Sequence, residues 1–167
     1  PKQPKIPRES GDPVGDWKYE MRREAQQIIP GLYVGPYQSS RLLEPLQRLG
    51  ITHIVCVYDN REKLFVKPRF PEHFTYLALE VRDAQDQNLI RIFPQVRQFI
   101  DEALQAGGKV LIHCGDGISR SPALAIAYLM MTFNVTHEEA YLHVQARRFC
   151  ASPNLNFQRQ IDAFEDI

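Results

Sequence analysis

The stretch from Lys109 to Met131 constrains the fold more than any other. Lys109-Val110-Leu111-Ile112 is short and apolar, as a buried strand is. Pro122-Ala123-Leu124-Ala125-Ile126-Ala127-Tyr128-Leu129-Met130-Met131 is long, apolar and rich in helix formers. Between them lies His113-Cys114-Gly115-Asp116-Gly117-Ile118-Ser119-Arg120-Ser121. A strand passing through a small-residue loop into a helix aims free backbone N–H groups and the positive end of the helix dipole at one spot. That spot is an anion site. A cysteine enters it and an arginine leaves it.

The rest of the chain supplies partners for this unit. Leu32-Tyr33-Val34-Gly35, His53-Ile54-Val55-Cys56-Val57 and Phe74–Leu79 read as further strands. Met21–Ile28 is mixed polar and charged and reads as a short helical turn. Ser39 or Ser40 is placed to cap a helix carrying Leu42, Leu43, Leu46 and Leu49, closed by Gly50, with Pro45 sitting awkwardly inside it. From Asn88, apolar residues Leu89, Ile92, Phe93, Val96, Ile100, Ala103 and Leu104 recur at helical spacing up to Gly107-Gly108, and Pro94 is expected to bend that helix. Thr136-His137-Glu138-Glu139 fits a capping box for a helix that turns Ala140 and Val144 inward. Arg147 and Arg148 then read as a solvated helix end that complements the dipole. Ser152-Pro153-Asn154 opens a last helix with Phe157, Ile161 and Phe164 on one face.

Strands alternating with helices predict a single α/β domain, with a central, mostly parallel twisted sheet of about five strands flanked by helices. Residues 1–16, rich in proline and charge, are expected to form a flexible arm, and residues 17–167 the domain. Ligands of such sheets sit beyond the carboxyl ends of the strands, where the loops after Leu79 and Ile112 both open.

Twenty basic residues balance twenty acidic ones, so no global field favours nucleic acid or a membrane surface, and anion preference must be local. The three cysteines, Cys56, Cys114 and Cys150, are odd in number and widely spaced, which predicts free thiols in a reducing compartment. Cys56 reads as core, and Cys150 as packing in preference to a redox partner of Cys114. His53, His73, His137 and His143 show no ligand spacing, so no metal or cofactor is expected. No stretch is apolar for long enough to span a bilayer; the expected location is the cytoplasm, with the nucleus also open to it.

Hydrolysis of a phosphate monoester needs an anionic nucleophile, compensating positive charge and a proton for the leaving oxygen. Cys114 among loop N–H groups is the candidate nucleophile, because helix N-termini and cations lower thiol pKa values. Gly115 and Gly117 are expected to curl the loop with positive φ, alongside Asp116, Ile118 and Ser119 as its remaining backbone donors. Arg120 offers a planar fork to two phosphoryl oxygens. Ser119 or Ser121 is placed to give the sulfur a hydrogen bond, which helps it leave.

His113-Cys114, five residues, then Arg120-Ser121 resembles the signature of the cysteine-based protein phosphatases of the dual-specificity class. The likeness extends over most of residues 17–166, through Pro30-Gly31-Leu32-Tyr33-Val34-Gly35, Ser121-Pro122 and Pro153-Asn154. It implies the fold already predicted and a shallow pocket for phosphotyrosine and phosphoserine or phosphothreonine. It implies phosphorylated proteins, signalling kinases among them, as partners. By the same likeness Asp83, ahead of Gln87-Asn88-Leu89, is the general acid, with Asp86 its rival and the better helix cap. Asn154 buttresses the phosphate loop, and His113 helps set the thiol pKa.

Met21-Arg22-Arg23-Glu24, Gly35-Pro36-Tyr37, Gly50-Ile51-Thr52-His53-Ile54 and Arg147-Arg148-Phe149-Cys150 are similar to a pseudophosphatase branch of that class, in which glycine replaces the catalytic cysteine. This chain has Cys114. Asp116, where alanine is common in the class, is expected to raise the thiol pKa and to disfavour polyanionic substrates. A phosphoprotein-binding module without turnover is therefore the alternative to an enzyme. A lipid or nucleotide phosphatase is disfavoured because no basic residue lies between Cys114 and Arg120.

Overall fold

The computed structural model describes residues 6–7 and 17–165, with the side chains of Phe164 and Glu165 outside the description. A 3-10 turn at Tyr19–Arg23 leads to β1 (Gln26–Ile29) and β2 (Leu32–Pro36), then a second 3-10 turn at Tyr37–Ser40 and α1 (Leu43–Leu49). There follow β3 (His53–Tyr58), β4 (Thr75–Glu80), α2 (Phe93–Gln105), β5 (Val110–Cys114), α3 (Arg120–Phe133), α4 (His137–Arg147) and α5 (Leu155–Glu165).

The strands form one five-stranded sheet in the order β1-β2-β5-β3-β4. The pairs β2·β5, β5·β3 and β3·β4 are parallel and only β1 is antiparallel. The mostly parallel α/β sheet expected from the sequence is the one found. β5 lies at its centre, buried along its whole length, with Pro36 beside Cys114 and Cys56 beside His113. Alternation along the strands splits the core in two. One face sends Leu32, Val34, Val55, Val57, Val110 and Ile112 towards the α2–α5 helices, and the other sends Tyr33, Ile54 and Leu111 towards Leu46 of α1 and Phe74. α3 is buried from Arg120 to Met130, so it is apolar all round instead of amphipathic.

Several local expectations shift. Met21–Ile28 takes in the end of the 3-10 turn and most of β1, a short edge strand with Ile28 and Ile29 buried, whose register is set by β2. Ser39 and Ser40 donate to the carbonyls of Pro36 and Tyr37 and close the second 3-10 turn; they do not cap α1. Pro45 falls in the first turn of α1 and Pro94 in that of α2, where a missing N–H breaks no bond. Pro94 therefore starts a helix and does not bend one. Gly50 closes α1 at φ 81, and the Thr136–Glu139 capping box forms as expected. Ile6 is buried in the larger core cluster; the rest of the arm, and the inward face expected for Phe164, lie outside the described residues.

Candidate active site

Residues 113–121 join the end of β5 to the start of α3, as the sequence requires, and the sheet centres them at its carboxyl edge. The carbonyls of the loop are held from outside. Gly115 O accepts from Tyr37 N (3.1 Å), Ile118 O from Ser152 N (2.6 Å) and Ser119 O from Ala123 N (3.0 Å). Arg148 holds Asp116 O and Gly117 O. A trans peptide sets its N–H opposite its C=O, so carbonyls held outward turn the following N–H groups inward. Gly117 N accordingly donates to Cys114 Sγ at 3.2 Å. Of the two loop glycines, Gly117 alone has positive φ (71°). Gly115 does not, contrary to expectation. A Cβ there would meet the Glu62 carboxylate and the Arg120 guanidinium, the far ends of two side chains held together by their bidentate pair.

Cys114 is fully buried at the base of the loop, 3.1 Å from Ser121 Oγ. Ser121 is thus the hydroxyl at the sulfur. Ser119 instead accepts from Asn154 N at 2.9 Å, which fastens α5 to the loop. Burial pushes the Cys114 thiol up, Arg120 pulls it down, Asp116 pushes it up again, and the bond to Ser121 pulls it down. The lowered thiol expected from the helix end is not what this arrangement presents; desolvation outweighs the cation.

A residue that no motif revealed sits on the Arg120 fork. Glu62, in the turn after β3, takes the Arg120 fork in a bidentate pair at 2.5 and 2.9 Å. Its own carboxylate is steadied by Asp59 N at 2.8 Å. Arg120 Nη1 also donates to Val81 O (3.1 Å), while its buried Nε has no partner. Arg120 is therefore fixed in place, its charge offset by Glu62, with Nε free to donate. The only sequence sign of Glu62 was an acid in a surface connection, and nothing local ties it to a residue so far along the chain.

Asp83 is exposed in the loop after β4, with Asn154 Nδ2 donating to its Oδ1 at 2.7 Å. Asn154 therefore bridges the 113–121 loop, through Ser119, and the loop that carries Asp83. Asp86 pairs with Arg82 at the surface, and Asn88, not Asp86, accepts from the backbone N–H of Arg91. Asp116 is exposed and closes a turn by accepting from Ile118 N (2.9 Å). His113 is wholly buried, and burial holds its pKa down at about 4, so it is neutral near pH 7 and brings no positive charge to the thiol.

Cys56 is buried and its thiol is pushed up to about 12, while Cys150 is half-exposed; all three cysteines are free. Arg148, read from sequence as solvated, is fully buried, and Arg147 nearly so. Beside the loop, Tyr37 and Phe65 meet edge to face at 5.2 Å, and Leu64 and Ile118 reach solvent.

Known proteins share this sequence pattern and fold. The family model described as dual specificity phosphatase, catalytic domain, matches residues 32–167. The chain is 49% identical over 154 residues to the human serine/threonine/tyrosine-interacting protein, covering 91% of this chain and 69% of that one. It is 41% identical over 139 residues to mouse dual specificity protein phosphatase 22, covering 83% and 72%. The crystal structure of human tyrosine phosphatase-like serine/threonine/tyrosine-interacting protein matches with a TM-score of 0.83 over 86% of this chain and 97% of that one, at 49% identity. The crystal structure of DUSP15 matches with a TM-score of 0.76 at 29% identity, over 86% and 88%. By that match and those identities, the chain belongs to the dual-specificity phosphatase family.

Proposed function

We propose that this chain is a protein phosphatase that hydrolyses phosphotyrosine and phosphoserine or phosphothreonine through a phosphocysteine intermediate. The observation that carries the reading is the convergence of nucleophile, cation and acid. Cys114 lies under Gly117 N–H and Ser121 Oγ, Arg120 starts the helix beyond it, and Asn154 links Asp83 to the same loop. In the first step the Cys114 thiolate attacks phosphorus, the P–O bond to the substrate breaks, and Asp83 gives its proton to the leaving oxygen. Arg120 Nε and the inward N–H groups take the charge on the phosphoryl oxygens. In the second, Asp83 removes a proton from water, which attacks phosphorus and releases inorganic phosphate. Ser121 then hydrogen-bonds the departing thiolate. The apolar Tyr37–Phe65 edge suits a substrate aromatic ring next to the loop.

A second reading, a phosphoprotein-binding module that is weakly active or inactive, is favoured by the Glu62 carboxylate on the Arg120 fork and by the burial that pushes the thiol up. Binding needs the loop N–H groups and the arginine, not the thiolate. Under either reading the partners are phosphorylated proteins, with signalling kinases among the candidates, met in the cytoplasm or nucleus. The two readings separate in an assay of wild type, Cys114→Ser and Asp83→Asn on phosphopeptides. The enzyme reading expects phosphate release by wild type, none by Cys114→Ser, and at least about a hundredfold loss in Asp83→Asn. No release by wild type, with phosphopeptide affinity retained, replaces it with the binding reading.

A further inference from the structure

Arg148 is the largest fully buried side chain of the described residues. It stands just beyond α4, and all of its hydrogen bonds go to neutral oxygens: Nε to Gly117 O (2.7 Å), Nη2 to Asp116 O (3.2 Å) and Arg22 O (2.9 Å), Nη1 to Glu24 O (3.0 Å) and Gln26 Oε1 (2.6 Å). No carboxylate pairs with it among the described residues. A buried guanidinium that is fully hydrogen-bonded yet not neutralised is unusual, because leaving a charge uncompensated in a dry interior is costly.

Its position supplies a reason. One edge of the guanidinium takes two successive carbonyls of the phosphate loop, and the remaining donors take the segment that leads into β1. Gly117 is closed in by this packing, since a Cβ there would stand 2.5 Å from Arg148 Nη2 and 2.8 Å from the backbone at Gly35 and Pro36. The peptides whose carbonyls Arg148 holds are those whose N–H groups belong to Gly117 and Ile118; the first points at Cys114 Sγ and the second closes the Asp116 turn. Arg120, the other loop cation, is already offset by Glu62.

We infer that Arg148 is a positioning residue for the anion site: it fixes the outer edge of the 113–121 loop so that the Gly117 N–H faces inward, and it is the buried positive charge that an anion in the loop answers. The anion is the Cys114 thiolate, or the phosphoryl group of a bound phosphoprotein. The 3-10 turn and β1 are, through the same side chain, part of the site's frame. The inference rests on the anion-binding role of the loop under "Proposed function", but not on turnover.

Arg148→Met and Arg148→Lys test it, with two readouts that need no catalysis: orthovanadate affinity by calorimetry, and the pH midpoint of Cys114 alkylation by iodoacetamide, followed by mass spectrometry so that Cys56 and Cys150 are scored apart. Arg148→Met is expected to weaken vanadate binding about tenfold or more and to move the alkylation midpoint up by about one pH unit. Arg148→Lys keeps the charge but cannot span both carbonyls, so it is expected to hold the midpoint nearer wild type while still losing vanadate affinity. If Arg148→Met does not fold, the Lys variant's vanadate affinity decides. A lower melting temperature with vanadate affinity and midpoint unchanged overturns the inference, because a merely structural role moves stability alone. Should wild type bind vanadate and release no phosphate from any phosphopeptide, the positioning role stands and the enzyme reading falls.

Discussion

At the scale of single residues, the site is governed by how charge is offset. Arg120 is 5% exposed and shares its fork with Glu62, so the thiol beneath it meets a cation whose field is already partly cancelled. Burial then dominates and holds the thiol protonated to higher pH. Glu62→Gln removes the offsetting charge while keeping a hydrogen-bond acceptor near the guanidinium. The thiolate then gains the full attraction of Arg120, and the midpoint of Cys114 alkylation is expected to fall by about one pH unit. An unchanged or higher midpoint in that variant shows that Glu62 does not control the thiol. Sequence alone hid this pair. Cys114, Arg120 and Ser121 announce themselves because one loop must contain them all, whereas Glu62 reaches the loop only through the sheet order that puts β3 beside β5.

At the scale of elements, legibility followed apolar pattern and not burial: β4 was legible without a buried residue, whereas β1 was missed although Gln26, Ile28 and Ile29 are buried. β2, β3, β4 and β5 read as strands because the apolar runs that fill them have no other stable use. β1 did not, because Gln26 and Gln27 carry no apolar pattern and the strand exists only by pairing with β2. Arg148 misled for a related reason. Two arginines at a helix end are explained well enough by the helix dipole, and only the packed structure shows one of them turned under the loop.

β5 carries a pH dependence of its own. His113 lies in this central strand, fully buried, and its pKa falls from 6.5 to about 4 on folding. In the unfolded chain the imidazole takes up a proton as pH drops below 6.5; in the folded strand it does not until about pH 4. The associated stability is complete above pH 6.5 and is lost as pH falls towards 4, amounting to roughly 3 kcal/mol. Thermal melts of wild type across that window are expected to slope more steeply than those of His113→Asn, whatever the variant's absolute stability. Parallel slopes contradict the assignment.

At the scale of the whole molecule, the sheet is a frame for one edge. Segments far apart in sequence each fasten the same loop: Tyr37 after β2, Glu62 after β3, Val81 after β4, Arg148 after α4, and Ser152 and Asn154 before α5. That convergence is why the fold could be anticipated from alternating strands and helices while half of the site could not. The nucleophile loop is local in sequence, and its supports are not. Asp83 was named from the sequence only because a family resemblance supplied its spacing. Its tie to Asn154 is a contact between the acid loop and the start of α5 that no periodicity encodes.

The claim at the centre of this account is that Cys114 becomes phosphorylated during turnover. Quenched-flow reaction of wild-type protein with p-nitrophenyl phosphate addresses it directly, with acid quenching and mass analysis of the Cys114 peptide. A rapid burst of about one equivalent of p-nitrophenolate per chain and a phosphoryl group on Cys114 are expected, both absent in Cys114→Ser. A wild-type protein that binds phosphopeptides yet shows neither burst nor phosphocysteine contradicts it.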